Sequence, residues 1–325
     1  MSHITKEQRY AIEVLLSRGE SKACIAKTIG RSKSVVSREI GRNRDKRSGQ
    51  YRADLAQRKY EQRKESIPKR ERFTASVQAT VDRLLEEDYS PEQVVGHCRV
   101  EGVECVSHER IYQYVWADKK GGGTLHTHLR RKGRRYRKRG AKKDSRGIIV
   151  GRVDIDQRPQ EVEERKRFGD LEIDTIIGQN HQGAIVTIND RASGFLRMKR
   201  VEKRTSDEVY RAAVELLKDE KEFLKTITGD NGKEFADHCK IALDLQISFY
   251  FAKPYPSWER GANENLNGLI RQYIPKRTDF KNLDDGYIKW VAERINSRPR
   301  KRFNYKKPIF VKEELLTMAK VAFVA

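Results

Sequence analysis

Five acidic residues in the second half of the chain lie in contexts that could support phosphodiester chemistry. Three of them alternate in the stretch GDLEIDTI: Asp170, Glu172 and Asp174. Side chains alternate along a strand, so all three would point to one face, where they need a cation or water. Asp230 follows KTITG and precedes Asn-Gly, which predicts a tight turn at the end of a strand. Glu264 lies in the polar stretch WERGANENLNGLIRQY.

Cleavage of a phosphodiester with two divalent ions needs two or three carboxylates that converge on metals about 3.5–4 Å apart. One acid should lie in a first strand, one just after a later strand and one on a helix. One of the three acids of GDLEIDTI, together with Asp230 and Glu264, satisfies that description. Each acid alone fits a solvated surface equally well. Together they predict a site for Mg²⁺, with Mn²⁺ as a substitute and two ions per active site.

The segment around Glu264 has helical spacing. On a helix, Asn267 or Gly268 and then Arg271 fall on the same face as Glu264. We expect Arg271 to reach a phosphate beside the metal, and Gly268 to let a DNA backbone approach. The alternative is an exposed polar helix with no further role.

The elements that must position these acids begin after residue 150. Three adjacent β-type stretches are followed by helix, strand, helix, strand and helix. This order predicts a mixed sheet with flanking helices, as in the ribonuclease-H-like fold. With the helical residues before it, the fold class is α + α/β: amino-terminal helix-turn-helix units followed by a ribonuclease-H-like catalytic domain.

The charge of the chain indicates a polyanionic partner. The 325 residues carry a formal net charge of +22. Residues 1–150 hold 36 basic and 19 acidic residues, whereas residues 151–325 hold 33 and 28. Double-stranded DNA is the expected partner and a membrane is not, since no apolar stretch could span a bilayer. Four scattered cysteines fit a reducing cytoplasm, so we expect a cytoplasmic, nucleoid-associated protein.

Residues 5–42 predict three short helices, the last two joined by a glycine turn in the helix-turn-helix pattern. The outward face of the third helix carries donors that phosphates and base edges accept, and these are the candidate DNA contacts: Lys33, Ser34, Ser37, Arg38 and Arg42. An ordinary helical bundle is the alternative.

Residues 73–118 predict a second helix-turn-helix-like unit, in which Arg110 is an outward candidate for DNA binding. The basic run 119–146 holds thirteen Lys and Arg and one acid. After two such units it suggests a phosphate-binding strap rather than a solvated linker. Its candidate contacts are Arg130, Arg131, Arg134 and Arg135. The expected domains are therefore residues 1–50, a basic linker 51–72, residues 73–118, a basic linker 119–150 and the catalytic domain 151–325.

Three stretches identify a resemblance to a known family: TGDNGKEF, YFAKPYPSWERGANENLNGLIRQYIPKRTDF and INSRPRKRFNYKKP. They resemble the catalytic signature of the IS-thirty family of DDE insertion-sequence transposases, and SKACIAKTIGRSKSVVSREIGRN resembles its helix-turn-helix. The 33 residues between Asp230 and Glu264 fit the family's spacing. Arg271 stands where these enzymes carry a basic residue.

One departure concerns the first acid. The family usually has Gly-His-Trp-Glu before the first catalytic aspartate, whereas here Gly169 is followed by Asp170 and Leu171. Asp174 aligns with the family position and is assigned, with Asp170 as the alternative. The resemblance thus implies that the catalytic, metal-binding residues are Asp174, Asp230 and Glu264.

The resemblance implies a transposase that binds the terminal inverted repeats of its element. It would cleave 3′ ends with a metal-activated water and join them to target DNA through a circular intermediate. Catalysis at two ends implies a homodimer or larger assembly on DNA. The alternatives are a DNA-binding regulator with an inactive integrase-like oligomerisation domain, and a metal-dependent nuclease without strand transfer.

Overall fold

The computed structural model describes residues 3–66, 72–130, 149–253 and 261–324. The chain divides into two compact units, Met1–Glu71 and Arg72–Ala325, and each is described by itself. Within the described ranges, no helix is both long enough and apolar enough to cross a membrane.

The first unit contains the three short helices expected from the sequence and one more. They are α1 (Lys6–Ser17), α2 (Lys22–Thr28), α3 (Lys33–Asn43) and α4 (Ala53–Ser66). Thr5 begins α1 with a reciprocal capping box to Gln8. Gly30 adopts φ +65° between α2 and α3, a left-handed conformation that glycine takes without a steric cost. The result is a helix-turn-helix.

Helix α4 lies in residues 51–72, the basic linker of the sequence prediction, in which a helix was expected near the middle of residues 43–72. Tyr51, Ala53 and Ala56 are buried in the core of the first unit. A buried ion pair between Arg9 and Glu39, 2.8 Å from Nε to Oε1, ties α1 to α3. The small alanines let the otherwise polar α4 pack closely, which net charge alone does not reveal.

The second unit begins with α5 (Ala75–Glu86), α6 (Pro91–Val100) and α7 (His108–Lys120). Ser90 and Pro91 form the start of α6, with a capping box to Gln93. These helices share a core that includes Leu84, Val94 and Ile111. They form one compact unit with the sheet that follows, so residues 73–118 do not stand apart as a separate body.

A five-stranded mixed sheet forms the centre of the second unit. Its strands are β1 (Asp170–Ile177), β2 (Ala184–Asp190), β3 (Leu196–Val201), β4 (Thr226–Gly229) and β5 (Ser248–Phe251). The spatial order is β3-β2-β1-β4-β5. The first three strands pair antiparallel, while β4 and β5 join in parallel. This order, with helices on both faces, is the ribonuclease-H-like fold expected from the sequence.

The remaining helices are α8 (Glu161–Glu164), α9 (Ser206–Leu217), α10 (His238–Leu245), α11 (Gly261–Tyr273), α12 (Asp285–Asn296) and α13 (Pro308–Val324). Helices α9 and α10 pack with Ile173 and Ile227 on one face of the sheet. Helices α11 and α12 pack with Ile176 on the opposite face. Asp174 is two residues from Ile176 in the strand, so α11 covers the face that carries the acids.

Asn296 fastens α12 to the edge strand β3. Its buried amide donates to the Leu196 carbonyl over 2.9 Å and accepts from the Leu196 N–H over 2.8 Å. We expect Asn296→Ala to lower the free energy of unfolding by about 1 to 3 kcal/mol, because two buried backbone groups lose their partner. Urea denaturation followed by tryptophan fluorescence measures this, since Trp116, Trp258 and Trp290 all belong to the second unit.

The matched control is Asn282→Ala. Asn282 is exposed and its amide donates only locally, to Asp279 over 3.1 Å. Its replacement should change the free energy of unfolding by less than about 0.5 kcal/mol. Equal losses in the two variants would show that Asn296 does not hold α12 against β3.

Candidate active site

Asp174 lies half-buried near the carboxyl end of β1. Its Oδ1 accepts from the Thr175 N–H over 2.9 Å, and its Oδ2 accepts from the Asn267 amide over 2.8 Å. Asn267 belongs to α11, so this contact joins the first strand to the helix that carries Glu264. A neutral amide donor fixes the orientation of the carboxylate without cancelling its charge.

Asp230 follows the last residue of β4. The parallel register pairs Glu172 with Thr228, and Asp174 and Asp230 each lie two residues further along their strands. Neighbouring residues of parallel strands point to the same face, so extending this register by two residues would place Asp174 of β1 opposite Asp230, which follows β4. The Gly232 N–H donates to Asp230 Oδ1 over 2.9 Å, which is the tight turn expected from Asp-Asn-Gly.

Glu264 lies in the first turn of α11, and its side chain is outside the described part of the structure. Asn267 comes three residues later, so Glu264 is one helical turn before the contact with Asp174. The backbone of α11 therefore places Glu264 one turn from the contact of this helix with β1.

The other two acids of β1 are neutralised by arginines. Asp170 is buried, accepting from Arg167 Nε over 2.8 Å and from the Thr226 hydroxyl over 2.8 Å. Glu172 is buried against Arg191, which is itself buried. Arginine side chains of the protein thus supply the cation that was expected beside Asp170 and Glu172. Asp170 lies about 13 Å along the strand from Asp174, far from Asp230.

Sequence reasoning missed a buried carboxylate beside Asp174. Glu234 Oε1 accepts from the Thr175 hydroxyl over 2.8 Å and forms an ion pair with Arg204. A Cβ on Gly232 would lie 2.2 Å from Glu234 Oε2, so the Glu234 carboxylate packs directly against the turn after Asp230. The stretch TGDNGKEF contained a signal for this residue. Glu234 lies so close to Asp230 in sequence that the two carboxylates would repel each other unless Glu234 had its own cation.

One expectation for α11, the approach of DNA beside Gly268, differs from the structure, whereas phosphate binding by Arg271 stays a prediction. The space beside Gly268 is filled by the protein itself, since a Cβ there would lie 1.9 Å from Arg130 Nη2. Arg130 also donates to Asn265 Oδ1 over 2.6 Å. The Arg271 guanidinium donates to the carbonyls of Ile177, over 3.2 Å, and Pro275, over 3.1 Å. Burial lowers the pKa of Arg271. Gly268 thus accommodates Arg130 rather than a DNA backbone.

The candidate DNA contacts of the first unit lie along one side of α3. Ser37 is half-buried, and the other four are exposed: Lys33, Ser34, Arg38 and Arg42. Arg38 Nε donates to the Ser34 carbonyl over 3.2 Å, which keeps its guanidinium along the helix. In the second unit Arg110 is exposed, 5.5 Å from the Phe73 ring. The candidates Arg131, Arg134 and Arg135 lie outside the described residues.

The acids fit a divalent metal ion by their chemistry and placement. Carboxylate oxygens are the ligands that Mg²⁺ prefers, and Asp174 and Asp230 supply them from adjacent strand ends. Among the side chains that the structure describes, no three such groups converge closely enough to hold a metal. Glu264 is not among those side chains, and its helical turn faces the same edge.

Comparisons with known proteins agree with this architecture. Residues 1–43 match the model of a helix-turn-helix domain family. The chain is 53% identical over 323 residues to the transposase for insertion sequence element IS4351 of Bacteroides fragilis, with 99% of each chain covered. It is 33% identical over 236 residues to transposase InsI for insertion sequence element IS30A of Escherichia coli (strain K12), covering 69% of this chain and 61% of that protein.

A weaker likeness exists to a solved structure, the catalytic core domain of BIV integrase. It has a TM-score of 0.37 and 15% sequence identity, and covers 46% of this chain and 96% of that one. The ribonuclease-H-like fold is assigned from the strand order and pairing, not from this likeness.

The ion pair between Glu172 and Arg191 supports β1 next to the site. We expect Arg191→Met to lower the free energy of unfolding by about 3 to 5 kcal/mol, because Glu172 would remain buried without a cation. The double variant Arg191→Met/Glu172→Met should regain most of that loss, since an apolar pair can replace a buried ion pair. Urea denaturation of both variants measures the difference, with the exposed Arg211→Met as control. A double variant no more stable than Arg191→Met would contradict this account.

Proposed function

The chain belongs to the IS-thirty family of insertion-sequence transposases, and on that premise we propose that it cleaves and joins the ends of its own element with Asp174, Asp230 and Glu264. The observation that carries this assignment is the hydrogen bond from Asn267 to Asp174, because it ties the helix of Glu264 to the first strand. The shared register of β1 and β4 supports Asp230 as their partner.

In this proposal Asp174, Asp230 and Glu264 hold Mg²⁺. When bound, the metal activates the attacking water or 3′-OH and neutralises charge on the scissile phosphate. The amide of Asn267 keeps one oxygen of Asp174 fixed, and the Gly232 N–H does the same for Asp230. Fixed carboxylates avoid reorganisation during the reaction, which is the main way a protein lowers this barrier.

We propose further that α3 reads the terminal inverted repeats of the element in the major groove, as the second helix of a helix-turn-helix does. The exposed donors of α3 and the family match over residues 1–43 support this role. Joining two ends requires two active sites, so a homodimer or larger assembly on DNA is part of the proposal, as are a circular intermediate and nucleoid association.

A labelled element end incubated with the full chain and Mg²⁺ tests the proposal. Nicks at the 3′ end together with joined products support it. Nicks without joined products would make the chain a metal-dependent nuclease. Binding with neither product would make it a DNA-binding regulator.

The three acids should be needed for the chemistry and not for binding. Asp174→Asn, Asp230→Asn and Glu264→Gln should each abolish 3′-end nicking, because each removes a metal ligand and changes few atoms. Binding to the element end, measured by gel shift without metal, should stay within about twofold of the parent, a difference of about 0.4 kcal/mol.

Asp170→Asn is the matched control for these variants. Asp170 is held by Arg167 and Thr226 at the far end of β1, so its replacement should cost stability and leave nicking intact at a temperature where the variant is folded. Nicking by Asp174→Asn combined with none by Asp170→Asn would move the first ligand to Asp170.

Arg38 should contribute to specificity. Arg38→Ala should weaken binding to the element end relative to random duplex by about 1 to 3 kcal/mol if its guanidinium reads a guanine. Competitive gel shifts on both DNAs measure this preference, with Arg18→Ala on α1 as control. An equal loss of affinity on both duplexes would mean that Arg38 contacts only phosphate.

A further inference from the structure

A short loop after α12 concentrates positive charge. Residues 298–306, here called the arginine loop, read RPRKRFNYK. The Arg300 N–H donates to the Lys306 carbonyl over 3.0 Å, which closes the loop on itself. Asn304 and Tyr305 adopt φ values of 51° and 66°, a left-handed conformation that side chains rarely take. The loop therefore has a specific, constrained shape.

Helix α6 holds the arginine loop in place. The Gln93 amide donates to the Pro299 carbonyl over 2.7 Å, and Lys301 pairs with Glu92 over 2.6 Å. The Tyr305 ring occupies the space next to Gly96, where a Cβ would lie 2.0 Å from it. These contacts rigidify the loop before any ligand arrives.

Two neighbouring cavities, of about 230 and 270 Å³, open beside the arginine loop. Both are lined by Arg300 and Lys301, and by Asn265 and Leu269 of α11. Arg130 lines the first cavity and Arg302 lines the second. The first cavity is also lined by Asp88 and Glu92, which pair with Arg298 and Lys301. Among the residues that the structure describes, the second cavity has three cations and no acid in its lining, so it is the one suited to an anion.

Arg300 is half-buried and Arg302 is exposed, and neither is neutralised in the way that the buried arginines are. The buried Arg9, Arg191 and Arg197 each form an ion pair with a glutamate. Within the described part of the chain, Arg300 and Arg302 form no ion pair.

Each of these two guanidiniums donates to a backbone carbonyl. Arg300 Nη2 donates to Ile295, over 3.0 Å, and Arg302 Nη2 to Arg191, over 3.3 Å. Each guanidinium has five N–H donors, so most of their capacity remains for a ligand.

The electrostatic surroundings of Arg300 favour an anionic ligand. Burial lowers its pKa to about 10, and the neighbouring guanidiniums of Arg298, Arg302 and Arg130 act in the same direction. A bound anion would offset this repulsion and raise the pKa again. The cavity thus favours a ligand that carries negative charge.

We propose that Arg300 and Arg302 of the arginine loop clamp a backbone phosphate of DNA next to the helix of the active site. The inference rests on the proposed function for the identity of the DNA. Asn265, which lines both cavities, is adjacent to Glu264 in α11, and Arg130 begins the basic run that continues to residue 146. Arginine suits this role because its planar fork binds phosphate through two parallel hydrogen bonds.

Ethylation interference on the element end, with the full chain and without metal, tests the clamp directly. In the parent protein, ethylation of the clamped phosphate weakens binding. In Arg300→Gln and Arg302→Gln, interference at that phosphate should disappear while interference at other phosphates persists. The salt dependence of log K on duplex DNA should flatten by about 0.9 for each phosphate that is no longer neutralised. Arg300→Lys should retain the slope, because the charge remains.

The matched control is Arg211→Gln, an exposed arginine of α9 on the other face of the sheet that pairs with Asp207. It should leave the interference pattern and the slope unchanged. Thermal unfolding of each variant shows that it is folded. An unchanged pattern in folded Arg300→Gln and Arg302→Gln would overturn the proposal.

Inorganic phosphate distinguishes the two possible ligands of the cavity, a phosphate of DNA and a free anion. If it stabilises the parent but not Arg300→Gln against heat, and the DNA measurements are the same for both, the cavity takes a free anion and the proposal fails. The nicking assay separates this result from failure of the proposed function. Normal Mg²⁺-dependent nicking with an unaltered interference pattern refutes only the clamp. Absence of nicking with the predicted loss of interference refutes only the proposed function.

Discussion

Three carboxylates on one face of one strand repel each other, and the architecture around β1 depends on how that repulsion is relieved. Arg167 neutralises Asp170 and Arg191 neutralises Glu172, whereas Asp174 meets the neutral amide of Asn267. Two acids thereby become part of the buried structure, and the third is held by an amide of α11. Our proposal of a divalent cation at this edge rests on the carboxylates of this last acid and of Asp230.

Helix α11 connects this edge to the rest of the second unit. Asn267 and Arg271 contact β1 from one side of the helix. Asn265 and Gly268 meet Arg130 on another side, and Gln272 donates to the His128 carbonyl over 2.8 Å. The helical region before the sheet therefore contacts α11, the helix that carries Glu264, on a side other than the one that contacts β1. A displacement of α5–α7 would move the proposed metal site, which gives these helices a structural reason to belong to the same compact unit.

Much of the fold was predictable because its signals are local. The alternation in GDLEIDTI, the Asp-Asn-Gly turn and the helical spacing after Trp258 are set by neighbouring residues, and the order of elements along the chain followed from such signals. The partners of buried charges were not predictable, since Glu172 meets Arg191 and Gly268 meets Arg130 across long stretches of chain. For the same reason the sequence suggested DNA beside Gly268. The polar α4 was undervalued because its packing depends on small side chains rather than apolar ones.

The central claim is that Asp174, Asp230 and Glu264 together hold the catalytic metal ions. Binding of Mn²⁺ to the full chain on its element end, followed by electron paramagnetic resonance, tests it without depending on turnover. The account predicts about two tightly bound ions per chain, as two-metal phosphoryl transfer requires. It also predicts loss of tight binding in Asp174→Asn and Asp230→Asn and retention in Asp170→Asn. Equal Mn²⁺ binding by the parent and by Asp174→Asn and Asp230→Asn would contradict it.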